Sequence, residues 1–225
     1  PPVQPFLGRL LAEFAKQCPR AAVHLEERTP ERVWEMVANG RLHIGLTRPV
    51  PAHAALGMKT QLLRSERLCA VIPRNHEWFG RRSLSWRALA GHPLIILARR
   101  EGAGLHDEIL AGCRQAGFSP RLIHTPSLIS TVLRYVEAGT GVGIVPESIT
   151  EAEEHPDRCR VLLTPPLSVP LVMVWKEGHE ESPARVFREL LAGWARRGKL
   201  FAPAGELTHL RSGAAAPGRL KGKDE

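Results

Sequence analysis

Val136-Glu137-Ala138-Gly139-Thr140-Gly141-Val142-Gly143-Ile144-Val145-Pro146 is the stretch whose reading decides the fold. Its glycines superficially resemble a phosphate-cradling loop, but their setting is reversed. A dinucleotide fingerprint follows a strand and opens a helix. Here a run with Leu128, Val132, Tyr135 and Val136 at helical spacing comes first, with Ser127 as its expected N-cap. Gly139 is the stop of that helix, and the apolar residues Val142 to Val145 that follow read as a short buried strand. Gly141 and Gly143 then permit a tight turn and close helix–strand packing. The stretch predicts a helix feeding a buried strand, and no nucleotide site.

The same alternation extends in both directions. Toward the N-terminus, Pro5 opens a helix with Phe6, Leu7, Leu10, Leu11 and Phe14 on one face, and Pro19 stops it. Ala22 to Glu27 reads as a strand. Thr29-Pro30-Glu31 combines a hydroxyl cap, a proline at the first turn and an acid near the positive end of the helix dipole, so a second helix starts there. His43 to Thr47 is a short strand, and a helix between two strands in this manner predicts parallel pairing. Gly57 to Arg64 and Glu66 to Pro73 are extended runs separated by Ser65. The second is mostly apolar and suits a strand covered on both faces. Leu94 to Ala98 and Pro120 to His124 are further strands, with a helix through Leu105, Ile109 and Cys113 between them. Toward the C-terminus, Pro146 begins another helix, Arg160 to Leu163 and Leu171 to Trp175 are strands, and the last helix buries Val186, Phe187, Leu190, Leu191 and Trp194. Beyond Gly198 the composition turns to Ala, Gly, Pro, Lys and Arg, which predicts a disordered tail. Strand and helix alternate from end to end, so the class is α/β.

Composition narrows the function. The 225 residues are 43% hydrophobic and 24% charged, ordinary for a globular protein. With only 12 Phe, Trp or Tyr residues, aliphatic side chains must build the core. The net charge of +8 is scattered, with no run of five basic residues, so no nucleic-acid arm is expected. Cys18, Cys69, Cys113 and Cys159 form no C-x-x-C pair. Cys69 and Cys113 sit in apolar patterns and read as buried free thiols, which fits a cytoplasmic protein. No apolar run approaches a membrane span. The chain opens Pro1-Pro2 with no Met and no signal sequence, which leaves an upstream leader open. The ten histidines form no H-E-x-x-H pattern, so no metal site is expected. There is no G-x-S-x-G elbow, so no catalytic residue and no cofactor is assigned.

Arg48 lies just past the His43 to Thr47 strand. Ligands of open α/β sheets sit beyond the carboxyl ends of strands, and an arginine there can fork onto a carboxylate. An exposed loop arginine explains the position equally well. Thr29 and Ser127 would aim helix N-termini, which attract anions, toward the same region, and plain capping accounts for either residue.

In order along the chain, FLGRLLAEFAKQCP, VHLEE, VANGRLHIGLTR, LLRSERLCAVIPRNH, ALAGHPLIIL, VEAGTGVGIVP and LVMVW resemble the effector-binding domain of LysR-type transcriptional regulators. The similarity runs from about Phe6 to Arg196. It implies a fold like that of type 2 periplasmic binding proteins. Such a fold has two α/β lobes, each a mixed, mostly parallel sheet flanked by helices, joined by two crossover strands around a ligand cleft. Residues 1–65 with 171–197 would form the first, discontinuous lobe, 66–170 the second, and 198–225 the tail. Family members carry an N-terminal helix-turn-helix and a linker helix, neither of which this chain contains, and the strand that precedes the first helix in the family is also missing from it. They assemble as homo-oligomers and reach promoter DNA through the helix-turn-helix.

By position, the resemblance implies a cleft formed by Pro1, Pro2, Thr29, Pro30, Arg48, Ser127, Leu128 and Ile129, closed on one side near Pro146, for a small organic anion. Pro1-Pro2 and Pro30 stand where carboxylate-binding members often place hydroxyl residues, and proline has no N–H to offer. The LLRSERL stretch resembles members that sense muconate or benzoate, some of which have a second pocket at the positions of Arg64 and Glu66. A local crossover ion pair is the alternative reading there. The functions that compete with regulation are a transport-type solute-binding protein and an enzyme on the same two-lobed fold.

Overall fold

A computed structural model describes residues 6–49, 57–151, 155–178 and 182–200. The chain runs α1 (Leu7–Gln17), α2 (Pro30–Ala38), β1 (Ile44–Thr47), β2 (Met58–Pro73), β3 (Ser83–Ser85), β4 (Pro93–Ile95), α3 (Ala103–Gln115), β5 (Arg121–His124), α4 (Ile129–Glu137), β6 (Val142–Pro146), α5 (Ser148–Glu151), β7 (Arg158–Thr164), β8 (Ser168–Lys176) and α6 (Ser182–Arg196). Short 3-10 turns occupy Trp86–Leu89 and Arg99–Glu101.

The two runs around Ser65 are one strand of 16 residues. Its first part, Met58 to Arg67, pairs antiparallel with β8, across an irregularity between Leu62 and Arg64. Its second part, Leu68 to Pro73, pairs antiparallel with β6 and β7. β2 therefore belongs to two sheets. One is β1-β8-β2, antiparallel throughout. The other is β3-β7-β2-β6-β4-β5, in which β3 with β7, β4 with β5 and β4 with β6 are parallel. This is a two-lobed α/β fold with β2 and β8 as the crossover pair.

Period-two alternation explains how the apolar strands cover two faces at once. On β2, Leu68, Ala70 and Ile72 pack toward Trp86, Leu89, Ile109 and Cys113, while Cys69 and Val71 pack toward Val132 and Val136 of α4. On β8, Leu171 and Met173 meet Phe6, Leu10, Phe14 and Leu191 from α1 and α6. Val172 and Val174 meet Val33, Trp34 and Val37 of α2. Each such side chain contributes about 1.5–3 kcal/mol on burial. At the decisive stretch, Gly139 takes φ +74° and closes α4. A Cβ on Gly143 would lie 2.9 Å from Val136 Cγ2, so that glycine sets the close approach of α4 to β6.

Several expectations need correction. Ala22 to Glu27 is not a strand. An extended run becomes a strand only with a partner about 4.8 Å away, and a cavity of about 690 Å³ lies between residues 20–28 and β1, lined by both. Val23 and Leu25 are accordingly exposed. The expected parallel partner of β1 is thus absent among the described residues, and β1 pairs antiparallel with β8 instead. The expected disordered tail does not include Leu200, which is buried in the core of the first sheet; residues 201–225 lie outside the described residues. Phe6, Leu10 and Phe14 along α1 and Val132 and Val136 of α4 are buried in the cores, and of the large apolar residues along these two helices only Leu128 stands out to solvent.

Candidate functional site

Arg48 follows β1, and its carbonyl oxygen accepts a bond of 2.9 Å from the Trp34 indole of α2. The guanidinium turns inward, so the residue is neither the exposed loop arginine nor an unengaged anchor. It pairs with the Glu66 carboxylate and donates to the Val169 carbonyl of β8 at 3.2 Å. Arg64 donates to the other Glu66 oxygen at 2.7 Å and to the Leu200 carbonyl at 3.3 Å. All three side chains are buried, Glu66 completely. Arg64 and Glu66 thus make the crossover ion pair, with Arg48 as an unforeseen third member. Burial pushes the Glu66 carboxyl up, but the charges of Arg48 and Arg64 outweigh it and hold it below its ordinary value. Burial lowers Arg48 in spite of Glu66, though a guanidinium stays charged at neutral pH.

Pro146 pairs in register with Leu68. Behind it, Glu147 accepts from Arg67 Nε at 3.1 Å and returns its own N–H to the Arg67 carbonyl at 2.9 Å. The end of β6 is thereby tied to the crossover strand beside the triad. Thr29 caps α2 as expected, its hydroxyl accepting from Arg32 N at 3.4 Å, with Pro30 at the first turn. A Cβ on Gly104, in the first turn of α3, would stand 3.8 Å from the Pro49 carbonyl, which brings the chain after Arg48 against the second lobe.

Ser127 corrects its expectation. α4 begins at Ile129 with Leu128 at its N-cap and no side-chain bond there, so Ser127 stands one residue before the cap, and its hydroxyl accepts from Arg100 Nη2 at 2.9 Å. Leu128 is 61% exposed, and Ile129 is half-buried against the second lobe's core. Pro1 and Pro2 lie outside the described residues. The contacts therefore gather Arg48, Arg64, Glu66 and the chain after Pro146 around the crossover, with α2 joined through Trp34. Ser127 stands with Arg100 beyond the ends of β4 and β5. Arg100 was missed, although the rule that singled out Arg48, an arginine just past a strand end, applies equally to the Arg99-Arg100 doublet after Leu94 to Ala98. Among the described residues no group of three or more His, Cys, Asp or Glu could hold a metal, and no helix is long and apolar enough to cross a membrane.

The model of the LysR substrate binding domain matches residues 2–196. The chain belongs to that family. Relatives of this LysR domain include the HTH-type transcriptional regulator AlsR of Bacillus subtilis, 28% identical over 143 residues that cover 64% of this chain and 47% of AlsR. Another is the transcriptional dual regulator GltC of the same species, 26% identical over 150 residues, 67% of this chain and 49% of GltC. The chain spans about half the length of the curated relatives it matches. The effector-binding domain of BenM with its effector benzoate shares the fold at TM-score 0.72 and 19% identity, covering 88% of this chain and 89% of that one. The regulatory domain of CcmR from Synechocystis PCC6803, in complex with 2-PG, does so at 0.73 and 14%, covering 85% and 91%. At these identities the two structures bear on the fold alone.

Proposed function

We propose that this LysR effector-binding domain senses a small organic anion between its lobes, residues 1–65 with 171–197 on one side and 66–170 on the other. The observation that carries the reading is the pair of polar centres flanking the crossover. One is the Arg48 region beyond β1, and the other is Ser127 with Arg100 beyond β4 and β5. Thr29 and Pro30 at the start of α2, Leu128 and Ile129 at the start of α4, and Pro146 would complete the walls. Effector binding would favour one relative orientation of the lobes through differential contacts. In a longer polypeptide with a helix-turn-helix, that change would pass to a DNA-bound homo-oligomer in the cytoplasm. Full-length CbnR, of the same fold, has been seen complexed with its target DNA.

The domain is read as non-catalytic, since its relatives are named as transcriptional regulators. Arg64 and Glu66 are read as structural rather than as a second pocket, because both are buried and engage each other. Small-angle scattering with and without benzoate, muconate and succinate, alongside uncharged analogues, tests the sensing role. An anion should tighten the envelope. An unchanged scattering curve under saturating ligand would sink the switch, and preferential binding of the uncharged analogues would sink the anion.

A further inference from the structure

Three arginines stand near the ends of β1 and β4, and they differ in how freely each can change partners. Arg48 is buried and holds a fully buried carboxylate. Turning it toward a ligand would strand Glu66 without one of its two counter-charges, and leaving a buried charge unpaired is strongly unfavourable. Arg99 is exposed but clamped by a two-pronged fork, Nε and Nη2 donating to the two carboxylate oxygens of Asp107 at 2.8 and 2.9 Å. A planar fork of this kind is the strongest arrangement open to an arginine at a surface. Arg100 has neither restraint. It is exposed, and its partners are the neighbouring Glu101, Nε to Oε1 at 3.0 Å, and the Ser127 hydroxyl at 2.9 Å. An exposed pair between adjacent residues contributes little, and a neutral hydroxyl is a weaker acceptor than a carboxylate.

Position adds to availability. Arg100 stands five residues past Ile95, the last residue of β4, and Ser127 three residues past His124, the last of β5. The two strands are parallel neighbours, so both side chains lie beyond the carboxyl ends of adjacent parallel strands, where open α/β sheets receive ligands. The Arg100–Ser127 bond closes the gap between those two loops. The Ser127 hydroxyl makes no cap bond on α4, whose N-cap is Leu128.

We propose that Arg100 is the cation that recognises the effector's acid group: it exchanges Glu101 for the ligand's carboxylate or phosphate, with Ser127 as the neighbouring hydroxyl donor, while Arg48 stays with Glu66. This rests on the cleft reading above and moves the anion anchor from the first lobe to the second. The ligand class is a small organic acid whose charged end meets the second lobe.

The test is calorimetric titration of the full chain with benzoate, succinate and inorganic phosphate, in wild type and in Arg100→Ala, Arg100→Lys, Ser127→Ala and Ser130→Ala. Ser130, exposed in the first turn of α4, serves as a nearby control. Whichever probe binds the wild type should lose tenfold or more in Arg100→Ala, regain part of that in Arg100→Lys, which keeps the charge without the fork, and be unchanged in Ser130→Ala. Arg100→Ala should melt within a degree of wild type, because the side chain is exposed. Affinity unchanged in Arg100→Ala but lost in Ser127→Ala overturns the role of Arg100 and leaves the cleft standing. Silence of all three probes with the wild type, when uncharged analogues of benzoate and succinate do bind, overturns the anion reading and Arg100 with it. Silence of both sets overturns the cleft itself.

Discussion

Glu66→Gln isolates the worth of the buried triad. In the wild type one carboxylate stands between two guanidinium groups, with Glu66 0%, Arg64 5% and Arg48 8% exposed. The substitution keeps the shape and removes the only negative charge of the three, leaving two like charges out of reach of water. Removing one partner of a buried ion pair costs about 3–5 kcal/mol. For a domain of this size about 1 kcal/mol corresponds to roughly 2–4 °C in Tm, so a loss of about 6–20 °C is expected. Urea unfolding at pH 7, followed by tryptophan fluorescence, measures it. Trp34, bonded to the Arg48 carbonyl, should report the same transition. The companion variant replaces all three charges with Met or Leu, and it should lie between neutral and a few kcal/mol more stable. The pH dependence has a definite sign. The folded Glu66 carboxyl lies below its ordinary value, so its stabilisation is complete above the unfolded pKa of about 4.3. It is lost as pH falls through the lower folded value. Below about pH 4 the wild type should therefore lose stability more steeply than Glu66→Gln. A Glu66→Gln protein within about 0.5 kcal/mol of wild type at pH 7 would refute the reasoning, since the two arginines would then need no counter-charge.

Three further outcomes are expected. Thr29→Ala should cost about 1 kcal/mol in urea unfolding through the lost cap on α2, whereas Ser127→Ala should cost under about half of that, because its hydroxyl caps nothing; equal losses would contradict the assignment. Gly143→Ala places a Cβ 2.9 Å from Val136 Cγ2 and 3.1 Å from Val132 Cγ1, and such overpacking against stiff side chains should lower stability by about 1–3 kcal/mol, read from the urea midpoint. Cys69 and Cys113 are fully buried, and burial pushes the Cys113 thiol up to about 11. Both should resist iodoacetamide at pH 8 in the native protein and react in urea, with mass spectrometry locating the label.

Most of the fold was legible because its signals are local. The glycine-punctuated stretch from Val136 to Pro146 reads as helix, stop and strand without any knowledge of what surrounds it, and Thr29-Pro30 announces its own helix. Two things were not local. Ala22 to Glu27 has the composition of a strand, but strand formation depends on a neighbour elsewhere in the chain. Ser127 has every attribute of a cap, but α4 starts at Ile129 with Leu128 in the cap position, and the Ser127 hydroxyl meets Arg100, 27 residues away. The site divides along the same line. That Arg64 and Glu66 face the same way on β2 follows from period two, whereas the inward turn of Arg48 onto Glu66 across 18 residues is a property of the assembled lobes.

The recessed edge of β1 bears on how the molecule behaves in a crowd. A strand with an unpaired side is a template on which other chains can polymerise, and among the described residues β1 has only β8 beside it. It is four residues long, and the extended stretch across the cavity stands in front of it. Arg20, Glu26, Glu27, Arg28 and Arg41 are among the residues lining that cavity. A second molecule attempting to add a strand there would have to dehydrate those charges before its backbone could reach the edge. Resistance to aggregation at this corner therefore rests on rim charges rather than on closure of the sheet, and it should weaken if they are replaced by neutral side chains.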